Sequence, residues 1–297
     1  DNRIAWYANN ATSTLDSISD LTVDEDAPEQ TVDLTGITAG GGETQNLAVT
    51  AVSSNTDLVA DPTVVYTSAE ATGQLKFTPL ADQHGTSTIT VTVEDGGLDN
   101  DLDTAGDNAT FSRTFDVTVN PVNDDPTLVQ PDNVTVDEDA SEQTVNLSGI
   151  TAGGGETQPL RVTAISSNTE LIADPTVVYT SAEVTGSLKF TPLADQHGSS
   201  ILTVTVEDGG LDNNLATTED NATTSRTFDV TVNPVNDDPT LDQPDNLTVD
   251  EDAPEQIVDL TGITAGGGET QPLRVTATSS DPTLVTAATS RTFSGTL

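Results

Sequence analysis

Apolar and polar residues alternate over short runs along the chain, a period of two that indicates strands with one buried face. Near the end of the second half, Phe228, Val230 and Val232 alternate with Asp229 and Thr231. Further runs of this kind are Leu202–Val206, Leu188–Phe190 and Leu160–Ala164, with the shorter segments VTVD, TVNL and TVVYT. No segment shows the 3.6-residue period of an amphipathic helix.

These runs amount to about seven strands in about 110 residues, separated by Gly, Pro, Asn and Asp, which is typical of an immunoglobulin-like sandwich. The chain has no Cys, so the Trp-and-disulfide core of antibody domains is excluded. The pattern therefore predicts an all-β chain of tandem Ig-like antiparallel β-sandwiches.

The same segments recur at a fixed distance. The tetrapeptide VDED has its first Asp at Asp24, Asp137 and Asp250, each 113 residues after the last, and the same offset relates His84 to His197. A fixed period predicts tandem units. We expect an N-terminal remnant outside the repeat at 1–13, repeats at 14–126 and 127–239, and a truncated repeat with an incomplete core at 240–297.

The net charge of the chain limits the classes of partner that it can bind. The chain has 49 acidic and 8 basic residues, a formal net charge of −41. A surface this negative argues against nucleic acid and against anionic membranes as partners. The charge also repels itself, so a compact state needs screening or bound cations.

The composition sets further limits. Without Cys there are no disulfides and no thiolate zinc sites, and small extracellular domains of this kind often use metal ions as staples. No apolar run is long enough to span a membrane, and no signal peptide is visible. We therefore expect no membrane insertion by this segment, and export can be inferred only from the class of module.

The most acidic stretch, Asn120–Asp139, ends one strand, passes through Asp-Asp-Pro and starts another strand with Asp-Glu-Asp; it recurs as Asn233–Asp252. Crowded carboxylates at a junction are typical of a calcium site, because Ca²⁺ takes six to eight oxygen ligands. The alternative is a solvated acidic linker capped by Asx turns. Both interpretations fit the pattern.

Four segments resemble cadherin-like repeats, especially those of large bacterial surface proteins. They are VDEDAPEQTV at Val23–Val32, TGQLKFTPLADQH at Thr72–His84, VTVEDGG at Val91–Gly97 and VNDDP at Val122–Pro126. The resemblance implies a calcium-binding role for Glu25, Asp82 and Asp95, and it places His84 where the family has a ligand Glu. It also has departures: Pro121 replaces the Asp that begins the family linker, and AGGGET at Ala39–Thr44 replaces a D-x-D pair. These departures imply fewer ions or weaker binding.

With this resemblance, the candidate ligands fall into two groups. At the first junction they are Glu25, Asp82, Asn123, Asp124, Asp125 and Asp208. At the second junction they are Glu138, Asp195, Asn236, Asp237 and Asp238, and Asp95 is a further candidate.

Three other motifs are interpreted structurally. Asp99, Asp101 and Asp103 have the alternate spacing of a calcium loop, but the missing Gly, distal Glu and helices favour an exposed polar loop. Asp-Gln-His-Gly, with His84 or His197, is interpreted as a turn because no nucleophile motif accompanies it. The Gly-Gly-Gly runs lack the G-K-[ST] ending of a phosphate loop and are interpreted as flexible loops.

The N-terminal stretch DNRIAWYANN, residues 1–10, resembles the closing strand of a blade in FG-GAP/VCBS-type β-propellers. The resemblance covers ten residues and implies a propeller upstream in a longer parent protein.

Taken together, the sequence predicts a non-enzymatic, calcium-binding adhesion or spacer segment of an extracellular or cell-surface protein, with cell-surface proteins or glycans as further partners. The alternative is a carbohydrate-binding or accessory module of a large secreted hydrolase. Sugar platforms usually need exposed aromatic residues, and aromatic residues make up only 3% of this chain.

Overall fold

The fold is that of a computed structural model, which describes residues 10–104, 106–286 and 291–293. Residues 1–9, which carry nearly all of the propeller-like stretch and Trp6, lie outside the described residues. Within the described ranges the regular secondary structure is entirely β. No helix in this part of the chain is long and apolar enough to cross a membrane.

The described residues form two compact units. The first comprises residues 10–125, apart from 105, together with Ala152–Gln158 and Gly209–Asn221. The second comprises Pro126–Thr151, Pro159–Asp208, 222–286 and 291–293.

The first unit contains seven strands, as the alternation predicts. They are β1 Leu21–Asp24, β2 Gln30–Thr35, β3 Leu47–Ser53, β4 Thr63–Val65, β5 Thr72–Phe77, β6 Gly85–Asp95 and β7 Thr110–Asn120. One sheet has the order β1-β7-β6-β3 and the other the order β2-β5-β4.

Most neighbouring strands are antiparallel, but β1 and β7 are parallel, with Leu21 opposite Val117 and Asp24 opposite Asn120. The predicted antiparallel β-sandwich thus contains one parallel pair, and the second unit has the same pair between the counterparts of β1 and β7. The difference arises because the first and last strands of the sandwich lie side by side and run in the same direction. Both strands therefore end at the same edge, where the acidic linker begins.

Alternate residues of both sheets meet in a single core. Leu34 and Leu75 from one sheet and Ile89, Val91 and Phe115 from the other belong to one buried cluster. Burying these side chains contributes roughly 1.5–3 kcal/mol each relative to leaving them exposed, which explains why the period of two is so regular.

The second unit repeats this architecture, and each of its first seven strands starts 113 residues after its counterpart. They are β8 Val134–Asp137, β9 Gln143–Ser148, β10 Leu160–Ser166, β11 Thr176–Val178, β12 Thr185–Phe190, β13 Gly198–Asp208 and β14 Thr223–Asn233. The sheet orders are β10-β13-β14-β8 and β11-β12-β9.

The predicted buried positions are confirmed: Phe228, Val230 and Val232 are buried, as are their counterparts on β10, β12 and β13. Phe77, Phe115, Phe190 and Phe228 all lie in the cores. These aromatic rings therefore cannot form a flat sugar-binding platform.

The third copy of the repeat forms less regular structure within the second unit. Its strands are β15 Leu273–Val275 and β16 Arg291–Phe293, which pair antiparallel. Leu241 is 50% exposed whereas its counterpart Leu128 is 4% exposed. The position that Leu128 fills in the preceding repeat is thus uncovered at Leu241, whereas Ala265 of the third copy is buried.

The core positions give a direct test of the fold. Leu188 on β12 is fully buried, whereas Val178 on the adjacent β11 is 53% exposed. We expect Leu188→Ala to lower the free energy of unfolding by about 2–5 kcal/mol, because it removes buried methyl groups and leaves a cavity. The control, Val178→Ala, should change it by less than about 0.5 kcal/mol. Urea denaturation measures both, and equal effects would contradict the assigned burial.

Candidate metal centre

The site is built around Glu25, the residue that follows β1. Its backbone N–H donates to the carbonyl of Asn120 at 2.9 Å, which extends the β1–β7 pairing by one step. Its Oε1 accepts a hydrogen bond from the N–H of Val122 at 2.8 Å. The residue is only 4% exposed, and its Oε2 is buried without a hydrogen-bond partner. The fold therefore holds a carboxylate in place with one oxygen that accepts no hydrogen bond.

Two aspartates from turns lie close to the carboxylate of Asp124. Asp26 and Asp82 have φ values of +62° and +57°, the left-handed conformation that Asp tolerates better than most residues. One carboxylate oxygen from each lies within 4.8 Å of a carboxylate oxygen of Asp124. Asp124 itself belongs to the Asn-Asp-Asp-Pro linker. The turns thus bring three separate segments together.

A fifth carboxylate comes from the segment AGGGE. The N–H of Asp124 donates to Oε2 of Glu156 at 3.2 Å, and Glu25, Asp124 and Glu156 form a second triplet within 4.8 Å. We refer to Glu25, Asp26, Asp82, Asp124 and Glu156 as the first acidic cluster. All five belong to the first unit, and Asp124 is the member shared by both triplets.

The spacing within each triplet suits one cation. Ca²⁺ binds oxygens at 2.3–2.6 Å, so two ligands on opposite sides of one ion lie about 4.8 Å apart. Because the oxygens of each triplet lie within 4.8 Å of one another, one ion could contact all three members. The donors are all oxygens, the set that hard cations such as Ca²⁺ and Mg²⁺ prefer.

The second unit contains an equivalent arrangement. Asp139, Asp195 and Asp237 form a triplet within 4.8 Å, and the N–H of Asp195 donates to Oδ1 of Asp139 at 3.2 Å. The N–H of Asp237 donates to Oε2 of Glu269 at 3.4 Å, and Glu138 accepts from the N–H of Val235 at 2.7 Å. We refer to Glu138, Asp139, Asp195, Asp237 and Glu269 as the second acidic cluster.

The electrostatics of both clusters disfavour another negative charge. Burial raises the pKa of the Asp124 carboxyl, and the nearby carboxylates of Asp82, Asp26, Glu25 and Asp125 raise it further. Burial likewise raises the pKa of Asp237, with Asp139, Asp195, Glu269 and Glu138 adding to the effect. A bound cation would reverse this by stabilising the charged form.

Each cluster also contains buried oxygens without hydrogen bonds. They are Oε2 of Glu25, Oδ2 of Asp124, Oε2 of Glu138 and Oδ2 of Asp237. Leaving a buried acceptor unsatisfied costs about 1–3 kcal/mol, and more for a charged group. A metal ion is a group that satisfies several such oxygens at once, so the residues present fit a cation on this observation as well as on their spacing.

The glycine runs adjoin the clusters and have a defined geometry, which corrects their interpretation as simple flexible loops. Gly153, Gly154 and Gly155 have φ values of +96°, +41° and +75°, a conformation that is costly for residues with a Cβ. A Cβ on Gly153 would lie 2.4 Å from the carbonyl oxygen of Asp125. The loop therefore packs its backbone directly against the linker.

The structure places the sequence-predicted ligands as follows. Glu25, Asp82 and Asp124 come together in the first cluster, and Asp195 and Asp237 with the adjoining Glu138 in the second. Asp125, Asp208 and Asp238 belong to none of the carboxylate triplets found among the described residues, and the amide of Asn236 donates to the carbonyl of Asp237 at 2.9 Å. The Oδ1 of Asn123 accepts from Gln158 at 2.6 Å, and Oδ1 of Asp208 accepts from the N–H of Ala222 at 2.9 Å.

Sequence reasoning missed four carboxylates: Asp26, Asp139, Glu156 and Glu269. Asp26 and Asp139 directly follow the predicted Glu ligands in the VDED motif, so their proximity could have been anticipated. Glu156 and Glu269 follow the glycine runs. Their recurrence was visible, but nothing in the spacing indicated that the loop returns to the linker.

Asp95 has a different environment from the clusters. Its Oδ1 accepts hydrogen bonds from the Asn10 side chain at 2.7 Å, the Ala109 N–H at 2.9 Å and the Gly97 N–H at 3.1 Å, and its Oδ2 accepts from Ser13 at 2.8 Å. Burial alone would raise the pKa of Asp95, but these hydrogen bonds together lower it below the ordinary value. The residue fastens the segment around Asn10 and Ser13 to the end of β6.

The remaining motifs are the histidines of Asp-Gln-His-Gly and the aspartate-rich loop. The Nδ1 atoms of His84 and His197 lie 3.7 Å and 3.5 Å from Oε2 of Glu25 and Glu138, and both imidazoles are largely exposed. In the aspartate-rich loop, the N–H of Asp101 donates to Asp99 and the N–H of Asp103 donates to Asp101. These are Asx turns in an exposed loop.

The hydrogen bonds to Asp95 predict an acid-dependent loss of stability. We expect Asp95→Asn to lower the free energy of unfolding by about 1–3 kcal/mol at neutral pH, because it weakens hydrogen bonds to a buried charge. Since the folded pKa lies below the ordinary 3.8, this contribution is complete above pH 3.8 and disappears as the pH falls through the folded value. Urea denaturation as a function of pH measures it.

The control for this prediction is Asp99→Asn, an exposed aspartate of the neighbouring loop, which should leave the pH profile of the wild type unchanged. An Asp95→Asn protein as stable as the control at neutral pH would contradict the structural role of Asp95.

Of the comparisons with known proteins, the one with solved structures gives matches. No family model matches the chain, and no curated protein sequence matches it either. Several solved structures are similar at low identity.

Among them, the titin domains Z1Z2 in complex with telethonin are 12% identical over 77% of this chain and 100% of that chain, with a TM-score of 0.31. Domains EC22–24 of mouse cadherin-23 are 17% identical over 75% of this chain and 65% of that chain, with a TM-score of 0.38. Domains 4 and 5 of the S-layer protein SbsC are 15% identical over 75% of this chain and 99% of that chain, with a TM-score of 0.29. The likeness concerns the fold alone: the chain is similar to tandem cadherin-like and immunoglobulin-like β-sandwich repeats.

Proposed function

We propose that this chain is a non-enzymatic array of cadherin-like repeats that binds Ca²⁺ at its two acidic clusters. The array comprises repeats at 14–126, 127–239 and 240–297, preceded by a segment at 1–13. Its role is to act as a spacer or adhesion segment of an extracellular or cell-surface protein, with surface proteins or glycans as further partners.

One observation carries the proposal: the buried Oε2 of Glu25, which has no hydrogen-bond partner in the middle of an acidic cluster. The other oxygen of the same carboxylate is fixed by the N–H of Val122, so the side chain cannot turn outward without breaking that bond. A buried, fixed and unsatisfied carboxylate beside other carboxylates is costly unless a cation compensates it. The same holds for Glu138 in the second cluster.

Among common cations, Ca²⁺ fits this environment best. Zinc prefers His and Cys ligands in a tetrahedral arrangement, whereas the triplets contain carboxylates only. Magnesium requires near-ideal octahedral geometry at 2.0–2.1 Å and usually retains several waters. Calcium accepts irregular sets of carboxylates at longer distances, which matches side chains that come from turns, a linker and a glycine loop.

Binding would link segments that are far apart in sequence. In the first unit an ion at the Glu25–Asp124–Glu156 triplet would connect the end of β1, the linker and the segment Ala152–Gln158. Such cross-links restrict the movement of the linker relative to these segments. We therefore propose that Ca²⁺ stiffens the array, which suits a spacer or adhesion segment.

This function predicts a reversal of stability between two conditions. In chelator, the double variant Asp124→Asn with Asp237→Asn should be at least as stable as the wild type, because it removes one carboxylate from each repulsive cluster. In excess Ca²⁺ the wild type should gain more stability, because ligand binding at 100 times Kd contributes about 2.7 kcal/mol. Differential scanning calorimetry in both conditions measures the reversal as a shift in Tm of several degrees.

The matched control is Asp57→Asn with Glu170→Gln, which removes two charges at equivalent exposed positions outside the clusters. It should respond to Ca²⁺ as the wild type does. A wild type whose Tm and heat of mixing do not change at millimolar Ca²⁺ would refute the proposed function.

The raised pKa values of Asp124 and Asp237 predict a pH dependence in chelator. A raised folded pKa contributes stability that is complete below the ordinary 3.8 and is lost as the pH rises through the folded value. The wild type should therefore lose stability relative to the double variant as the pH rises from about 4 towards neutrality. Excess Ca²⁺ should abolish this difference in slope, because the ion stabilises the charged carboxylates. Parallel profiles in chelator would contradict the electrostatic account.

A further inference from the structure

The glycine runs differ in what each residue contacts. A Cβ on Gly154 would lie 1.9 Å from Oδ2 of Asp124, and a Cβ on Gly267 would lie 1.9 Å from Oδ2 of Asp237 and 3.3 Å from Oδ1 of Asp195. At the next positions, Gly155 and Gly268, a Cβ would meet no atom within 4 Å. All four residues have positive φ. Neighbouring glycines of one loop thus have the same type of backbone conformation, but only the first of each pair contacts the carboxylate.

We propose that Gly154 and Gly267 are positioning residues for cation binding, which hold the Asp124 and Asp237 carboxylates at their places in the acidic clusters. This inference rests on the proposed Ca²⁺ function and assigns the glycine loops a part in it. The absence of a side chain leaves a space that Oδ2 of the aspartate occupies, so the loop backbone covers this oxygen and fixes the position of the carboxylate.

The expected effect of a methyl group is specific. Its nearest neighbour is Oδ2 of Asp124, the end of a side chain that can rotate away, so the fold can accommodate the change. The carboxylate, however, would then leave its position. Because Asp124 belongs to both triplets of the first cluster, its displacement would affect every cation position that the cluster offers.

The first repeat shows that the loop conformation does not itself require a carboxylate. Gly40, Gly41 and Gly42 also have positive φ, yet a Cβ on Gly41 would meet the Cβ of Ala11 at 2.8 Å. Ala11 occupies the position of Asp124 in the repeat. All of these repeats thus share the loop conformation, and the loop contacts a linker carboxylate only where the linker carries an Asp.

The test compares Gly154→Ala with Gly155→Ala in the full chain, by calorimetric titration with Ca²⁺. Alanine is strained at both positions because φ is positive, so the two variants share that cost. We expect Gly154→Ala to weaken Ca²⁺ binding at the first cluster by about 10-fold or more, the range seen when residues that orient metal ligands are changed. Gly155→Ala should change it by less than about 2-fold. The second cluster, unaltered in both variants, is the internal reference.

Two further measurements separate positioning from a general structural role. In chelator, Gly154→Ala and Gly155→Ala should unfold at similar temperatures. In an Asp124→Asn background, Gly154→Ala should cause little additional loss of affinity, because its effect acts through that carboxylate.

The outcomes are distinct. A wild type that does not bind Ca²⁺ would overturn the proposed function and this inference with it. A wild type that binds, with equal losses in the two glycine variants or with losses that add fully to that of Asp124→Asn, would overturn the positioning role alone. Unfolding of Gly154→Ala in chelator while Gly155→Ala stays folded would assign Gly154 to the fold instead.

Discussion

The structure of each junction depends on one constraint, the fixed burial of a glutamate where two strands end. Glu25 follows β1, and its backbone and its Oε1 hold the chain at Asn120 and Val122. Glu138 holds Asn233 and Val235 in the same way. The backbone and the carboxylate of this glutamate thus both bind the start of the linker, and its second oxygen is buried. The acidic linker then adds Asp124 or Asp237 beside a charge that cannot move away.

Differences between the three copies distinguish the contact between the glycine loop and the linker from the acidic cluster. In all three copies, the Glu after the glycine run accepts a hydrogen bond from a linker N–H: Glu43 from Ala11, Glu156 from Asp124 and Glu269 from Asp237. The docking of loop on linker therefore does not need the aspartate. Ala11 stands at the one copy without an Asp, and no acidic triplet is found there among the described residues. Aspartate at this position thus adds charge to a loop–linker contact that forms without it, which is consistent with a role beyond the fold.

Much of the fold could be predicted from sequence, because alternation reports directly on burial. Phe228, Val230 and Val232 are buried as their period of two implies, and the fixed repeat carries the assignment from one sandwich to the next. The parallel pairing of β1 with β7 could not be read in this way, since alternation says nothing about strand direction. For the site, resemblance pointed to Glu25, Asp82 and Asp124. Glu156 was missed because its position depends on a loop path set by three positive φ angles. Asp95 shows a further limit, since a ligand and a hydrogen-bond acceptor both appear in sequence as an Asp at the end of a strand.

The few basic residues of the chain pair mainly with acids outside the clusters. Lys76 pairs with Glu29, Lys189 with Glu142 and Arg161 with Glu207, and none of these acids belongs to either cluster. The imidazoles of His84 and His197 lie within ion-pair distance of the cluster residues Glu25 and Glu138. Both side chains are about 60% exposed, so their contribution is screened by solvent. With 49 acidic residues against 8 basic ones, most carboxylates of the chain have no basic side chain of their own to pair with. Mobile counterions could screen the exposed carboxylates, whereas the Oε2 atoms of Glu25 and Glu138 are buried and accept no hydrogen bond, so screening by bulk solvent reaches them least.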